Sequence, residues 1–231
     1  MKRLFVLFTV VLMTVPLLAN TYIVKAVRGT VEVRRGVAEE WKTVKAGDLL
    51  RPEDSMRTGK RSSATIAIDG RQLTVPEQAI VDIADFRSMT QEEFLLKLAM
   101  ENVLSVPQRE KGNMAIPRTT VLHGAEAGKE SSGDTPGAEF GAMQLQGAKL
   151  LYENSYYATS VLKTKETFRL YPDQQTNIDA RLRVAGAFEK MKLANEAMTE
   201  YSGLTKETLS TLQQSVVQSG IDRVRKSQAR Q

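Results

Sequence analysis

The chain has 231 residues, 42% of them hydrophobic, 26% charged and 6% aromatic, which suits one large or two small globular domains and excludes a fibre or a disordered tail. It has no cysteine and one histidine, His123, which excludes disulfide frameworks, thiol nucleophiles, zinc clusters and the common catalytic triads. The formal net charge is +5, and acidic residues are interspersed among the basic ones, so the composition does not indicate nucleic-acid binding.

The N-terminus has the pattern of a secretory signal peptide. A positively charged start, residues 1–3, precedes the uncharged residues 4–18, and Ala19 supplies the small residue of a cleavage site. We expect cleavage after Ala19 and a periplasmic or secreted chain. An uncleaved inner-membrane anchor is the alternative, but it is disfavoured because spanning a bilayer takes about 20 apolar residues and Pro16 would disturb the helix.

Residues 20–86 are predicted to form a small β domain, because short apolar alternations are separated there by turn residues. The strongest hairpin signal is Asp69-Gly70, a pair that suits a type I′ turn. A second hairpin or bulge is expected at Arg28-Gly29. Trp41 is expected to be the aromatic anchor of the core.

Residues 87–123 are predicted to be a helix and an extended segment that pack on the β domain. The helix begins at Gln91, because Thr90 and Glu93 have the spacing of a capping box. Its apolar residues surround it on nearly all sides, which is typical of a buried helix. We therefore expect it to dock on the β domain or on a partner.

Residues 124–146 are rich in Gly, Ser, Glu and Ala and predict a flexible linker. Residues 147–231 are predicted to be a helical domain, and its apolar spacing has breaks at Pro172-Asp173 and Ser202-Gly203. The β domain and the helical domain are therefore expected to fold independently and to reach separate partners.

A set of spaced turn and core residues in the β domain carries a family resemblance. The matching positions are Trp41, Val44, Gly47, Asp48, Leu50, Asp54, Met56, Thr58, Gly59, Ser62, Ser63, Ala64, Ile66, Ile68, Asp69, Gly70, Leu73 and Pro76. In this pattern residues 24–83 resemble the FecR domain of extracytoplasmic bacterial envelope proteins. The resemblance implies a β-rich interaction domain outside the cytoplasm, and it leaves a role in envelope signal transduction as one alternative.

Small and aromatic residues recur in the C-terminal region with the spacing of helix pairs. In this the region resembles two divergent tetratricopeptide repeats followed by a final helix. Such repeats bind peptides or partner proteins on a concave face, and the resemblance places four residues there: Lys149, Tyr152, Glu189 and Lys190. The expected fold class is α+β, with an N-terminal all-β FecR-like domain, a connecting helix and a C-terminal α-helical tetratricopeptide-like domain.

No catalytic constellation is present in the sequence. His123 has no Ser, Cys or carboxylate at a motif spacing, and adjacent acidic residues have structural explanations. We therefore expect a non-enzymatic scaffold of the bacterial envelope, without cofactor or metal, that binds envelope proteins and not nucleic acid, with homo-oligomerisation left open. The other alternative is a module that binds cell-wall glycan or another polysaccharide, although exposed aromatic rings are few.

Overall fold

The computed structural model describes residues 22–106 and 136–230. The predicted signal peptide (1–19), His123 and linker residues 124–135 lie outside these ranges. The described elements are β1 (Tyr22–Arg28), β2 (Val31–Arg34), β3 (Trp41–Thr43), β4 (Leu49–Leu50), β5 (Ser55–Thr58), β6 (Ser63–Ile68), β7 (Arg71–Val75), β8 (Ile80–Asp82), α1 (Gln91–Ser105), α2 (Pro136–Glu153), α3 (Tyr157–Leu170), α4 (Ile178–Lys190), α5 (Ala194–Leu204) and α6 (Thr211–Gln228). Two 3₁₀ turns, Ile83–Asp85 and Pro172–Thr176, complete the path. The strands precede the helices, which is the expected α+β layout.

The strands form two four-stranded antiparallel sheets, with the orders β4-β1-β6-β7 and β3-β2-β5-β8. Alternate residues of the strands are buried between the sheets, as period-two patterning predicts. The most completely buried strand side chains are Val24, Val31, Val33, Met56, Ile66 and Ile68. The predicted hairpin at Asp69-Gly70 is confirmed, since it joins β6 to β7 with φ values of 48° and 79°.

The predicted hairpin at Arg28-Gly29 is wrong, because the chain crosses there from one sheet to the other. β1 pairs with β4 and β6, whereas β2 pairs with β3 and β5. Gly29 has a φ of 72°, and a Cβ at this position would lie 2.4 Å from the Oγ of Ser62. That hydroxyl accepts a hydrogen bond from the Thr30 amide at 2.9 Å, so the crossing requires glycine.

The expectation that Trp41 anchors the core is also wrong. Trp41 lies on β3, an edge strand, where it is only half-buried. Two guanidinium groups of the outer sheet face lie over its ring, those of Arg57 and Arg34, at 4.4 Å and 5.3 Å from the centroid. The core is instead filled mostly by aliphatic side chains, with Tyr22 and Phe86 as its aromatic members, and Trp41 makes a cation–π stack on the surface.

Helix α1 begins where it was predicted but packs elsewhere. The Thr90 Oγ1 accepts a hydrogen bond from the Glu93 amide at 3.1 Å, which caps the helix. Its two buried side chains, Phe94 and Leu98, belong to the apolar cluster between the helices, the helical core. They do not belong to the core between the two sheets, which together form a β-sandwich. The Phe94 ring lies 6.1 Å from the ring of Phe188. Docking of α1 on the β domain is therefore corrected to docking on the helices.

The predicted linker is shorter than expected, because α2 begins at Pro136 and includes residues 136–146. The helix that was expected over residues 147–170 is divided between the end of α2 and α3. A left-handed residue, Ser155 with a φ of 68°, separates α2 from α3. The break expected at Ser202-Gly203 falls later, since α5 continues to Leu204.

The core of the two sheets also includes side chains of α2, whereas α1 and α3 to α6 form a second apolar core of their own. Leu150 and Leu151 of α2 lie in the same buried cluster as the strand side chains. The rings of Phe86 and Tyr156 meet edge to face at 5.7 Å. Burial of these side chains in the cluster of the strands packs α2 against the sandwich.

A buried ionic cluster lies at the same junction. The ammonium of Lys163 in α3 is hydrogen-bonded to Asp82 of β8, and Asp82 accepts a second bond from the Ser55 hydroxyl at 2.5 Å. Burial raises the pKa of Asp85 to about 7, and Asp82 adds to that rise while Lys163 opposes it. The Oδ2 atom of Asp85 is buried without a hydrogen-bond partner among the described residues. No helix in the described ranges is long and apolar enough to cross a membrane.

Candidate functional site

The predicted partner-binding residues fall mostly on one face, where α2 and α4 lie side by side. Tyr152 of α2 reaches across to Gly186 of α4, since a Cβ on Gly186 would lie 2.9 Å from the tyrosine hydroxyl oxygen. The Tyr152 ring is held edge to face against Tyr157 at 5.4 Å. A glycine at this point lets the hydroxyl rest on the helix backbone.

Arg183 lies one turn before Gly186 on α4 and is the unusual residue of this face. Its side chain is half-buried, and burial lowers the pKa of its guanidinium. Asp179, Glu153 and Tyr152 are near enough to oppose that shift, yet within residues 22–106 and 136–230 Arg183 has neither a hydrogen bond nor an ion pair. A charge partly withdrawn from water and left without a partner is unfavourable by itself.

Two lysines extend this face along both helices. Lys190 is exposed and lies seven residues after Arg183, so it occupies the same side of α4. Lys149 lies one turn before Tyr152 on α2 and is 3.8 Å from the carboxylate of Glu153, an exposed pair that contributes little stability. Lys149, Tyr152, Arg183 and Lys190 are called the α2–α4 face below.

Glu189, the remaining predicted residue, serves a different purpose. It receives two hydrogen bonds from the Arg223 guanidinium, at 2.6 Å and 3.0 Å, and one from the Tyr201 hydroxyl at 3.1 Å. These bonds join α4 to α5 and α6, and the Arg223 bonds lower the pKa of Glu189. Its carboxylate is therefore committed to holding the helices together, and the prediction of partner binding is corrected for this residue.

The α2–α4 face carries both signs of charge, and two of its cations have no ion pair among the described residues. Arg183 and Lys190 supply cations, and the Tyr152 hydroxyl is a hydrogen-bond donor that has no partner among the described residues. A carboxylate that reached Arg183 would form charge-assisted hydrogen bonds and remove the penalty of its partial burial. Sequence reasoning missed Arg183, although its place seven residues before the predicted Lys190 was the available signal.

The Trp41 ring does not support the alternative of glycan binding. Sugar rings stack on free aromatic faces, but Arg57 lies 4.4 Å from the Trp41 centroid and is itself fixed by Glu32 at 2.7 Å. The ring is thus stacked on the chain's own guanidinium groups. Among the described residues no group of three or more His, Cys, Asp or Glu side chains is placed to hold a metal ion.

Comparison of the chain with protein-family models, with curated proteins and with solved structures found no match in any of the three.

Proposed function

We propose that the protein is an exported, non-enzymatic interaction protein of the bacterial envelope, and that its α2–α4 face binds an acidic segment of a protein partner. The observation that carries this proposal is Arg183, a half-buried guanidinium with no hydrogen bond or ion pair in the described ranges. A partner carboxylate supplies what this side chain lacks.

The arrangement of the helices supports a binding role. Two antiparallel pairs, α2–α3 and α4–α5, are followed by α6, whose residue Arg223 is tied back to Glu189 on α4. This is the order of two tetratricopeptide-like repeats and a closing helix, with the first helix of each pair on the binding side. Two repeats alone bury little area, and the sandwich that packs against α2 provides the missing support.

The proposed location in the bacterial envelope rests on two features of the sequence. Residues 1–19 have the pattern of an export signal, and residues 24–83 resemble the FecR domain of extracytoplasmic proteins. In this proposal the FecR-like sandwich acts as a rigid base for the helices, because α2 packs into its core. It does not act as a separate arm that reaches a second partner.

In-cell crosslinking tests the proposal. We expect the wild-type chain to capture a defined envelope protein, and Arg183→Ala to reduce that capture about tenfold or more, since charge-assisted hydrogen bonds contribute about 1.5–3 kcal/mol. Arg71→Ala is the matched control, because Arg71 is an exposed arginine on β7 in the sandwich. Equal capture by the Arg183 and Arg71 variants would refute this use of Arg183. Retention on insoluble peptidoglycan without any protein partner would favour the glycan alternative instead.

A further inference from the structure

Helix α1 presents an apolar surface to solvent on the side opposite its docked face. Phe94 and Leu98 point into the helical core, so the helix is held by one side. The other sides of α1 and its C-cap residue carry six large apolar residues that are exposed: Leu95, Leu96, Met100, Val103, Leu104 and Val106. Soluble monomers rarely leave a contiguous patch of this kind uncovered.

Three of the four charged residues of α1 form ion pairs, and the fourth, Glu92, is exposed in the first turn on the side of Leu96. Glu93 is bonded to the Arg87 guanidinium, with one contact of 3.2 Å. Glu101 accepts two hydrogen bonds from Arg169 of α3, at 2.6 Å and 3.3 Å. Lys97 is 3.6 Å from Glu93. After the first turn, the exposed stripe therefore consists of apolar side chains.

The stripe is self-complementary. Leu96, Ala99, Met100 and Val103 follow the i, i+3, i+4, i+7 spacing of one helix side. Leu96 and Val103 lie at equal distances from the midpoint between Ala99 and Met100. A two-fold axis at that midpoint would bring Leu96 of one copy against Val103 of a second copy, and small Ala99 would allow the helices to approach closely.

The exposed area is of the size that a dimer needs. At roughly 100 Å² of apolar surface for a fully exposed aliphatic side chain, six side chains that are 37–74% exposed present about 350 Å². A standard interface buries about 800 Å² per partner, of which about 57%, or roughly 450 Å², is apolar. Leu96, Met100 and Val103 at the proposed contact supply about 200 Å² of this area, and the flanking apolar residues supply the rest.

We propose that the protein forms a homodimer in which two α1 helices pack antiparallel through Leu96, Ala99, Met100 and Val103. A membrane surface is the less suitable occupant, because helices that lie on lipid carry Lys and Arg around their apolar side and α1 has only Lys97. The dimer leaves the α2–α4 face unused, so this proposal is independent of the proposed function.

Sedimentation of the purified full chain, expressed with its own N-terminus so that any processing occurs in the cell, tests the dimer. We expect twice the mass of one chain at micromolar concentrations. Leu96→Glu and Val103→Lys should each raise the dimer dissociation constant about 100-fold or more, because each removes two buried apolar contacts per dimer and places charge there. Leu212→Glu is the control, since Leu212 is 75% exposed on α6 and away from the stripe.

Mixing the two charged variants distinguishes the specific pairing from general stickiness. Antiparallel packing sets position 96 of one chain against position 103 of the other, so Leu96→Glu mixed with Val103→Lys should restore the dimer. Unchanged circular dichroism spectra would show that both variants fold. A wild-type chain that stays monomeric up to about 100 µM would overturn the proposal, as would monomer that binds lipid vesicles or a mixture that stays monomeric.

Discussion

Replacing Gly147 with alanine tests whether α2 lies on the sandwich. Gly147 faces β8 so closely that a Cβ would lie 1.9 Å from the carbonyl oxygen of Ile80 and 2.9 Å from its carbonyl carbon. Ordinary contacts between carbon and oxygen are about 3.3 Å, so α2 would have to move by about 1.4 Å. The obstacle is backbone, which cannot rotate aside as a side chain can.

Two opposing effects decide the result of Gly147→Ala. Alanine in place of glycine within a helix stabilises the folded state by about 1 kcal/mol. Overpacking against a fixed backbone costs about 3 kcal/mol, at the upper end of the usual range. The net loss of unfolding free energy is thus about 2 kcal/mol, which corresponds to a fall in Tm of roughly 4–8 °C for a chain of this length.

Urea denaturation of Gly147→Ala beside Gly203→Ala measures this difference. Gly203 lies inside α5, and a Cβ there would be 3.6 Å from the Arg181 guanidinium, an ordinary contact. Gly203→Ala should therefore stabilise the protein by about 0.5–1 kcal/mol. The reasoning is refuted if Gly147→Ala is as stable as the wild type, because α2 would then not rest on β8.

Two further predictions concern the buried cluster and the closing helix. In the folded state Asp85 keeps its proton up to about pH 7, because its pKa is raised to about 7, whereas the unfolded chain loses this proton near pH 4. The unfolding free energy therefore falls as the pH rises from about 4 to about 7. Asp85→Asn should remove this pH dependence, so the unfolding free energy of the variant minus that of the wild type should increase from pH 4.5 to pH 8. A difference that stays constant over this range would contradict the buried, protonated Asp85. Gly220→Ala should lower the unfolding free energy by about 1–3 kcal/mol, because a Cβ there would lie 2.3 Å from the Tyr201 ring, and an unchanged Tm would contradict the packing of α6 on α5.

The β-strands could be predicted because alternation is a local signal. Strands β2, β6 and β7 bury alternate residues, and the Asp69-Gly70 turn requires positive φ values that the pair adopts readily. The crossing at Gly29 could not be predicted in the same way. A glycine before a strand is compatible with a hairpin or with a change of sheet, and only the contact with Ser62 selects the latter.

The packing of α1 could be predicted only in part from the sequence. Apolar residues on nearly all sides predicted burial, yet the sequence does not say which surface covers each side. Phe94 and Leu98 select the helical core, and the opposite stripe remains exposed. The buried face of α3 could not be predicted from apolar residues, because polar residues such as Ser160 and Thr164 are buried there. Their hydroxyls donate hydrogen bonds to main-chain carbonyls.

The candidate site was predicted only in part. Lys149, Tyr152 and Lys190 lie on one face, but Glu189 is tied to Arg223 and Tyr201 of the following helices. Charged residues on a helix surface look alike in a sequence, because partial burial and the lack of a partner depend on the neighbouring helix. Arg183 acquires both properties only when α2 packs beside α4.

Site-specific photo-crosslinking in living cells is the most direct test of the claim that the α2–α4 face binds a protein partner. A photoreactive residue replaces either Lys190, which is exposed on this face, or Thr74, which is exposed on β7 of the sandwich. We expect a crosslink to one envelope protein from position 190 and none from position 74, and Arg183→Ala should abolish the former. Crosslinks from position 74 alone, or from position 190 with Arg183→Ala unchanged, would contradict it.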